Sequence, residues 1–270
     1  MTALASNASA SNPVASSWID GAPVHTGGAS FQIVNPATGA VVTEYARAAN
    51  VDVVFLQEIQ GEHKGKSKRI DNWPETPQFE FLADELWPHH AYGKNAIYQK
   101  GHHGNAILSK YPFVEWENLN VSAIRRASRS ILHGIIDVPE LEKKLHVVCI
   151  HLDFLSRERL RQLEILITRI KEHIPLDEPL ILAGDFNDWG DKVDRKLASD
   201  LRLNEVFKYF HGDHAKTFPS WFPMMPVDRI YYRGVRPMEC SCFNGPPWHR
   251  LSDHAPLYAN FLLDAGRRGP

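Results

Sequence analysis

Several apolar segments of the chain end in carboxylates, amides or histidines, the side chains that could do chemistry. The clearest is the apolar run at residues 180–183, which is followed by Gly184, Asp185 and, two residues later, Asn187. A run of this length bounded by Gly is typical of a buried strand. Asp185 and Asn187 can present a carboxylate and an amide on the same side. The same residues also suit an Asx turn, so this segment alone leaves both interpretations open.

Four other strand-like runs end in similar residues. In chain order these ends are Gln57-Glu58, His151-Leu152, Asp228-Arg229-Ile230 and Ser252-Asp253-His254. Cleavage of a phosphate ester requires a hard cation, a nucleophilic water and stabilisation of the developing charge. Carboxylates are ligands that Mg²⁺ prefers, so these residue types suit metal-assisted hydrolysis. Each end by itself also has an ordinary explanation, such as a solvent-facing Glu or a histidine satisfied in the core.

Composition limits the classes of protein to consider. The 270 residues are 43% hydrophobic, enough for one large domain or two small ones, and the net charge of -2 gives no overall attraction to nucleic acid. Three cysteines are too few for a disulfide framework and have no zinc-ribbon spacing, which favours a reducing compartment. The first residues lack a basic n-region and an apolar h-region, and no apolar stretch approaches membrane-spanning length. We therefore expect a cytoplasmic protein.

Apolar periodicity predicts many strands and few helices. Leu and Ile residues at helical spacing predict an amphipathic helix from Ser156 to His173. A weaker helix is predicted at residues 194–207 and a short one at 79–86. Paired strands are predicted at 95–98 and 104–109, separated by His102 and His103, and an antiparallel hairpin at 130–138 and 145–151. This pattern favours two packed sheets flanked by helices over a doubly wound parallel sheet.

Taken in order, the five strand ends resemble the endonuclease/exonuclease/phosphatase superfamily, which has the fold of DNase I and includes sphingomyelinases and inositol polyphosphate 5-phosphatases. The resemblance covers about residues 50–264 and includes Gly104-Asn105-Ala106-Ile107-Leu108-Ser109. Four segments are most similar to a bacterial branch linked with cardiolipin synthase, namely Asn72-Trp73-Pro74, Phe81-Leu82-Ala83-Asp84, Gly101-His102-His103-Gly104-Asn105 and Gly184-Asp185-Phe186-Asn187-Asp188-Trp189. The implied fold is α/β (α+β), a four-layer sandwich of two packed mixed β-sheets flanked by helices.

The resemblance also implies an activity. It implies a Mg²⁺-dependent hydrolase of phosphate esters, with Mn²⁺ as a second possible metal. Endonuclease, exonuclease, phosphatase and phosphodiesterase are the types of activity found in the superfamily. The implied substrate is a phosphodiester in a nucleic acid or a phospholipid head group, and no obligate protein partner is evident.

Roles follow from the family positions that these residues match. Catalytic roles are implied for Asp185, Asn187, His254, His151 and Asp228, and metal-binding roles for Glu58 and Asp253. Asp185 would activate the attacking water, Asn187 would donate to the phosphate, and His254 would stabilise the phosphoryl group or protonate the leaving oxygen. His151 would be a second contact to the phosphate. Asp228 would hydrogen-bond His254, raising its pKa and fixing its tautomer.

Four further residues are candidate substrate contacts, namely Asn105, Arg129, His103 and Trp221. His102 and His103 could line a cleft or lie on a surface turn. Arg129, together with residues 125 and 126, could bind an anionic group or form a solvated face. Trp221 and Phe222 could wall a pocket or simply pack down as an aromatic-proline loop.

The N-terminal part departs from the superfamily pattern. Trp18-Ile19-Asp20-Gly21 and Asn35-Pro36-Ala37-Thr38-Gly39 resemble the extreme N-terminus of aldehyde dehydrogenases. Superfamily members instead open with a strand ending in an asparagine, followed by a helix. We predict that this first strand and helix are lacking, with Phe31 to Asn35 filling the strand position as the alternative. The predicted organisation is a disordered tail at 1–16, a dehydrogenase-like segment at 17–47, the superfamily domain at 48–264 and a tail at 265–270.

If the first strand and helix are lacking, there are two alternatives to an active enzyme. Loss of a central strand and its helix would expose a sheet edge and core surface. The chain would then be a catalytically impaired or non-catalytic binding module. In the other alternative, the dehydrogenase-like segment governs the behaviour of the chain through oligomerisation.

Overall fold

A computed structural model of the chain describes residues 51–63, 77–83, 86–99, 101–122, 128–139, 141–246, 248–250 and 252–263, and the backbone of three strands between residues 18 and 35. These residues form fourteen strands: β1 (Trp18–Ile19), β2 (Ala22–Pro23), β3 (Ala29–Asn35), β4 (Val53–His63), β5 (His89–Tyr98), β6 (Gly101–Ser109), β7 (Phe113–Asn120), β8 (Ser130–Ile136), β9 (Leu145–His151), β10 (Leu180–Asp185), β11 (Asn204–Glu205), β12 (Asp228–Arg233), β13 (Arg236–Cys242) and β14 (Leu257–Leu263). The helices are α1 (Gln78–Ala83), α2 (Ser156–His173), α3 (Lys192–Leu201) and α4 (Val206–His211), with a 3-10 turn at Trp248–Arg250. Among the described helices, none combines the length and apolar character needed to cross a bilayer.

Twelve of these strands form two six-stranded mixed sheets. The first sheet has the order β11-β12-β10-β9-β8-β7, and the second has the order β13-β14-β3-β4-β6-β5. One apolar core lies between the sheets, a second lies under α2 and α3, and a third lies under α1. The predicted architecture of two packed sheets flanked by helices is confirmed.

Alternation along β10 decides which of its side chains reach the space between the sheets. Ile181 and Ala183 belong to the core between the sheets, whereas Leu180 and Leu182 pack in the core under α2. Successive side chains of a strand point to opposite faces, so Asp185 continues the inner row. The strand therefore delivers this carboxylate to the end of the sandwich, between the two sheets.

The strand β3 corrects the prediction that the first strand of the fold is lacking. Its backbone runs parallel to β4, with Ile33 opposite Val53, and antiparallel to β14, with Asn35 opposite Leu257. Because β4 also pairs with β6, it has a hydrogen-bonded neighbour on each side. The open sheet edge expected beside β4 is thus filled, and the alternative in which residues 31–35 take the strand position is the one observed. Residues 36–50, where the first helix was predicted to be lacking, and both predicted tails lie outside the described residues.

Element boundaries agree with the sequence prediction in some places and differ in others. The amphipathic helix at 156–173 and the β8–β9 hairpin are confirmed. The helix predicted at 194–207 is wrong, because Arg202 adopts a left-handed conformation with φ 55° that ends α3, and Asn204 and Glu205 then pair with β12. His102 and His103 lie within β6, not between strands, since β5 and β6 pair from Tyr98 and Gly101 onward. The short helix is observed at Gln78–Ala83, and residues 84 and 85 of its predicted range lie outside the described residues.

Gly184 allows β10 to approach β9 closely just before Asp185. Its φ is +149°, and a Cβ atom there would lie 2.0 Å from the carbonyl oxygen of Ile150. Gly184→Ala should therefore lower the free energy of unfolding by about 3 kcal/mol, since the backbone of a central strand would have to move. Urea unfolding measures this change. The control is Gly190→Ala, where nothing lies within 4 Å of the added atom and the change should stay below about 0.5 kcal/mol; equal stabilities of the two variants would contradict the prediction.

Candidate active site

Three of the predicted catalytic residues lie side by side at the end of the first sheet. Asp185 is opposite His151 on the parallel neighbour β9 and opposite Asp228 on the antiparallel neighbour β12. All three side chains are buried, and the next inward positions on their strands, Cys149, Ala183 and Ile230, belong to the core between the sheets. Sheet register alone therefore assembles a carboxylate, a second carboxylate and an imidazole in one row.

Asp185 and Asn187 form the Asx turn that was one of the two interpretations of this segment. The Asn187 backbone N–H donates to Asp185 Oδ1 at 2.8 Å, and Asn187 has a left-handed φ of 48°. Asn187 Nδ2 donates to Asp185 Oδ2 at 3.1 Å and to the Leu152 carbonyl at 3.0 Å. The turn fixes the carboxylate in place. The predicted donation from Asn187 to a phosphate would require one of these two hydrogen bonds to be released.

Asp185 has an unusual environment for a carboxylate. Burial, together with repulsion from Asp228, raises the pKa of Asp185 to about 7, although the charge of His254 acts in the opposite direction. A carboxyl group with a pKa near neutrality can both lose and accept a proton at physiological pH. This is the property that a general base requires.

His254 is held by the contact that the resemblance implied. Its Nδ1 lies 2.7 Å from Asp228 Oδ2, so Nδ1–H donates to the carboxylate and Nε2 is left for other partners. Burial acts to lower the pKa of His254, but the charge and hydrogen bond of Asp228, with smaller contributions from Asp185 and Asp253, raise it to about 9. His254 is therefore an imidazolium at neutral pH.

His151 has the opposite protonation state. Its Nε2 lies 3.4 Å from Asp185 Oδ2, and its Nδ1 lies 3.9 Å from Glu58 Oε1. Burial, followed by the positive charges of Arg129 and His254, lowers the pKa of His151 well below its ordinary value. The neutral imidazole of His151 thus lies on one side of Asp185. On the other side lies Asp228, which holds the charged imidazole of His254.

Glu58 comes from the second sheet and faces this row. The pairing of β4 with β6 shifts register between Leu56 and Ile59, and Glu58 there has a left-handed φ of 55°. Its side chain is 56% exposed, and its Oε1 lies 3.9 Å from His151 Nδ1. Mg²⁺ is usually bound through one or two carboxylates and several waters. An open carboxylate beside the row fits such an ion.

Asp253 lies on the surface next to His254. Its side chain is exposed, and its backbone carbonyl accepts the Ser220 N–H at 2.7 Å. In the described part of the chain, the His and acidic groups that bring three donor atoms within 4.8 Å of one another are Asp191, Asp194 and His214. That group includes neither Glu58 nor Asp253, so a preformed cage of protein ligands built on these two residues is not observed.

The predicted substrate contacts are distributed around the row. Asn105 is buried, and its Nδ2 donates to the Ser130 carbonyl at 3.2 Å, which links the two sheets. Arg129 donates through Nε to the Leu152 carbonyl at 3.2 Å, and its charge helps to lower the pKa of His151 and partly opposes the rise in the pKa of Asp185 that burial causes. His103 also lowers the pKa of His151. Residues 125 and 126 lie outside the described residues.

Trp221 is not packed into a pocket. Its side chain is 71% exposed and stacks on Phe222, with ring centroids 6.2 Å apart. The aromatic residue of this loop that touches the row is Phe218, whose ring lies 4.8 Å from that of His254. The aromatic-proline loop thus contributes Phe218, which the sequence did not single out.

The same loop positions His254 through its backbone. The Ala255 N–H donates to the Thr217 carbonyl at 2.8 Å, and the Asp228 N–H donates to Thr217 Oγ1 at 3.3 Å. Thr217 therefore connects the start of β12 with the segment that carries His254. The sequence signal for this role was weak, since it consisted of a Thr-Phe-Pro-Ser stretch shortly before Asp228.

Comparisons with known proteins place this geometry in a family. Residues 35–254 match the family model described as the Endonuclease/Exonuclease/phosphatase family. The uncharacterized protein YbhP of Escherichia coli (strain K12) is 42% identical over 217 residues, which cover 80% of this chain and 85% of that protein. A UPF0294 protein of Vibrio campbellii is 32% identical over 225 residues, covering 81% of this chain and 71% of that protein.

Solved structures share the fold at low sequence identity. An endonuclease/exonuclease/phosphatase from Beutenbergia cavernae has a TM-score of 0.66 at 17% identity, covering 87% of this chain and 72% of that one. D. rerio TDP2 complexed with a single strand DNA product has a TM-score of 0.64 at 19% identity, covering 86% and 98%. The human Nocturnin catalytic domain with a bound sulfate anion has the same TM-score and identity, covering 86% and 93%.

These comparisons confirm the resemblance to the endonuclease/exonuclease/phosphatase superfamily that the five strand ends indicated. The similarity of four segments to the branch linked with cardiolipin synthase stays a prediction, as does that of residues 17–47 to aldehyde dehydrogenases. The family match extends over most of the chain, and the two packed sheets have the fold of the solved structures. The chain belongs to the endonuclease/exonuclease/phosphatase family, whose members are phosphoester hydrolases.

Proposed function

We propose that the chain is a divalent-metal-dependent phosphodiesterase in which Asp185 is the general base. The observation that carries this proposal is the row of Asp228, Asp185 and His151 across three neighbouring strands. It places a carboxyl group with a pKa of about 7 between a charged and a neutral histidine, beside the open carboxylate of Glu58. Water attack on a phosphate ester needs this combination of a base and groups that stabilise negative charge.

The three residues of the row and His254 each have a distinct part in the proposed reaction. Asp185 takes a proton from the attacking water, which its pKa near 7 allows at neutral pH. His254 carries positive charge up to about pH 9, so it stabilises the phosphoryl oxygens or protonates the leaving oxygen. Asp228 is a positioning residue that holds His254 through Nδ1. His151, kept neutral by burial, offers a hydrogen bond to a second phosphoryl oxygen.

Glu58 is the proposed metal ligand. Mg²⁺, or Mn²⁺ with its similar preference for oxygen, would neutralise charge on the phosphoryl group when bound. Asp253, exposed beside His254, would hold a metal-bound water. Because few protein groups contact the ion, its affinity should depend strongly on the Glu58 carboxylate.

The proposed substrate is a phosphodiester carried by a nucleic acid or by a phospholipid head group. Arg129 supplies positive charge close to His151, where an anionic phosphate would enter, and the ring of His103 acts on the same imidazole. The net charge of -2 favours a small or local phosphodiester over a long duplex, since backbone affinity for DNA depends on many basic contacts. We also propose a cytoplasmic location, which the three free cysteines support.

Hydrolysis assays with and without metal test the proposal. The purified full chain should hydrolyse at least one of plasmid DNA, single-stranded DNA, phosphatidylglycerol vesicles or bis(p-nitrophenyl) phosphate in Mg²⁺. EDTA should lower the rate by at least about 100-fold, and excess Mg²⁺ or Mn²⁺ should restore it. Turnover that is insensitive to EDTA would contradict the metal-dependent mechanism. Mg²⁺ binding without turnover on any of the four substrates would favour the non-catalytic binding module instead.

A further inference from the structure

A second group of potential ligands lies outside the row of proposed catalytic residues. Asp191 directly precedes α3, Asp194 lies in the first turn of α3, and His214 follows α4. One donor atom from each of these three residues lies within 4.8 Å of the other two. We call these three residues the His214 cluster.

The imidazole of His214 points an unsatisfied nitrogen into this cluster. The side chain is only 4% exposed, and Nε2 has no hydrogen-bond partner among the described residues. It lies 3.8 Å from Asp194 Oδ1 and 3.9 Å from Asp191 Oδ1. A buried polar atom without a partner is costly, so its direction toward two carboxylates calls for a ligand between them.

Glu205 fixes the tautomer that leaves Nε2 available. Glu205 Oε2 lies 3.1 Å from His214 Nδ1 and also accepts the Lys208 backbone N–H at 2.8 Å. A carboxylate can only accept, so the proton of the neutral imidazole is on Nδ1 and the lone pair is on Nε2. A carboxylate that orients a histidine from behind in this way is the usual support of a metal-binding imidazole.

The distances suit a single ion. Two donor atoms that are each about 2.1 Å from one metal ion lie at most about 4.2 Å apart. Both distances from His214 Nε2 to the aspartate oxygens are below this limit. One nitrogen donor with two carboxylates suits a transition-metal ion such as Zn²⁺ better than Mg²⁺, which prefers oxygen ligands alone. We propose that Asp191, Asp194 and His214 bind one Zn²⁺-class divalent ion and that Glu205 orients His214 toward it.

The ammonium group of Lys208 pairs with the two aspartates of the His214 cluster. Its Nζ lies 2.9 Å from Asp194 Oδ2 and 3.4 Å from Asp191 Oδ1. The ammonium group therefore balances the same two carboxylates that would bind the metal, and it competes with the metal for them. Because the Lys208 side chain is one-third exposed, it can turn into solvent when an ion enters. This competition gives the proposal an unusual signature, since removal of Lys208 should strengthen metal binding.

Calorimetric titration of the full-length, tag-free chain with Zn²⁺ tests the site. All variants carry Glu58→Gln, which removes the ligand proposed for the catalytic metal, so failure of the phosphodiesterase proposal leaves this measurement unaffected. One Zn²⁺ per chain should bind. Asp191→Asn should weaken binding at least tenfold and should keep the fold, because Asp191 is exposed. Lys208→Gln should tighten binding severalfold, whereas Glu164→Gln, which removes an exposed carboxylate paired with Lys196, should change nothing.

Two outcomes overturn the site. One is the absence of Zn²⁺ binding even in Lys208→Gln, which would show that the cluster is an ion-pair network only. The other is binding that Asp191→Asn leaves unchanged, which would place the ion elsewhere. Thermal unfolding supplies a second measurement, since an ion that binds the folded chain alone should raise Tm in Lys208→Gln more than in Asp191→Asn.

Discussion

Asp185→Asn is expected to lower kcat of phosphodiester hydrolysis by about 10³-fold, the typical loss when a general base is removed. Asn has nearly the same shape, and its carbonyl oxygen can still accept the Asn187 N–H that closes the Asx turn. It cannot take a proton from the attacking water. The measurement is kcat in saturating Mg²⁺ on whichever phosphodiester the wild-type chain hydrolyses.

Stability separates this catalytic effect from a folding defect. The folded chain raises the pKa of Asp185 from 3.8 to about 7, so the folded state binds the proton more tightly than the unfolded state does. Ionisation of Asp185 therefore destabilises the fold, fully above about pH 7 and progressively less as pH falls from 7 toward 3.8. Asn stays neutral, so Asp185→Asn in EDTA should have a Tm at pH 8.5 that equals or exceeds the wild-type value, and this advantage should shrink toward pH 4.

The matched control for this prediction is Asp177→Asn. Asp177 is exposed and contacts Lys143 on the surface, so its replacement should leave kcat unchanged. Retention of more than a tenth of wild-type activity in Asp185→Asn would remove Asp185 from the role of base. A lower Tm at every pH would instead assign it a structural role.

The positions of the strand ends could be predicted from sequence because each depends on local pattern. The apolar run before Asp185 and the one before His151 identify buried strands, and alternation then decides which face each polar residue takes. The sequence left open whether Asp185 belongs to a turn or to a site. In the structure Asp185 forms the Asx turn, and that turn holds its carboxylate between His151 and Asp228, while its role in a site stays a prediction.

The contacts that the sequence missed are those between distant segments. The sequence offered residues 31–35 as the first strand only as an alternative, because their pairing depends on hydrogen bonds to β14, more than 200 residues later in the chain. Phe218, and not Trp221, contacts His254 because Thr217 ties the loop to the backbone beside His254. The His214 cluster draws on the start of α3 and the loop after α4, with Glu205 of β11 behind His214, and no regular spacing in the sequence connects these segments.

Asp228→Asn is expected to move the whole pH profile of kcat/KM toward acid. On the alkaline side, activity requires charged His254 and is lost as pH rises through its pKa of about 9. Asp228 is the main group that raises this pKa, so its neutralisation should move the alkaline limb toward the ordinary value of 6.5. On the acid side, repulsion from Asp228 helps to raise the pKa of Asp185, so the limb near pH 7 should also move down.

The two shifts together predict a specific loss of activity. If the pKa of His254 fell to its ordinary value of 6.5, only about 3% of the imidazole would be charged at pH 8, so kcat/KM there should fall roughly 30-fold from protonation alone. The relative loss should be smaller at pH 6, where His254 remains largely charged. A merely structural role of Asp228 would lower activity equally at all pH values and leave both limbs in place.

An NMR titration of the His254 ring measures the same shift without turnover. The pKa should fall by at least one unit in Asp228→Asn and should stay unchanged in Asp137→Asn, a substitution of an exposed aspartate. Agreement between the ring titration and the alkaline limb would identify His254 as the group whose charge the reaction needs. If the limb stayed near 9 while the ring pKa fell, a different group would control the alkaline side, and the pairing of Asp228 with His254 would serve the fold and not the chemistry.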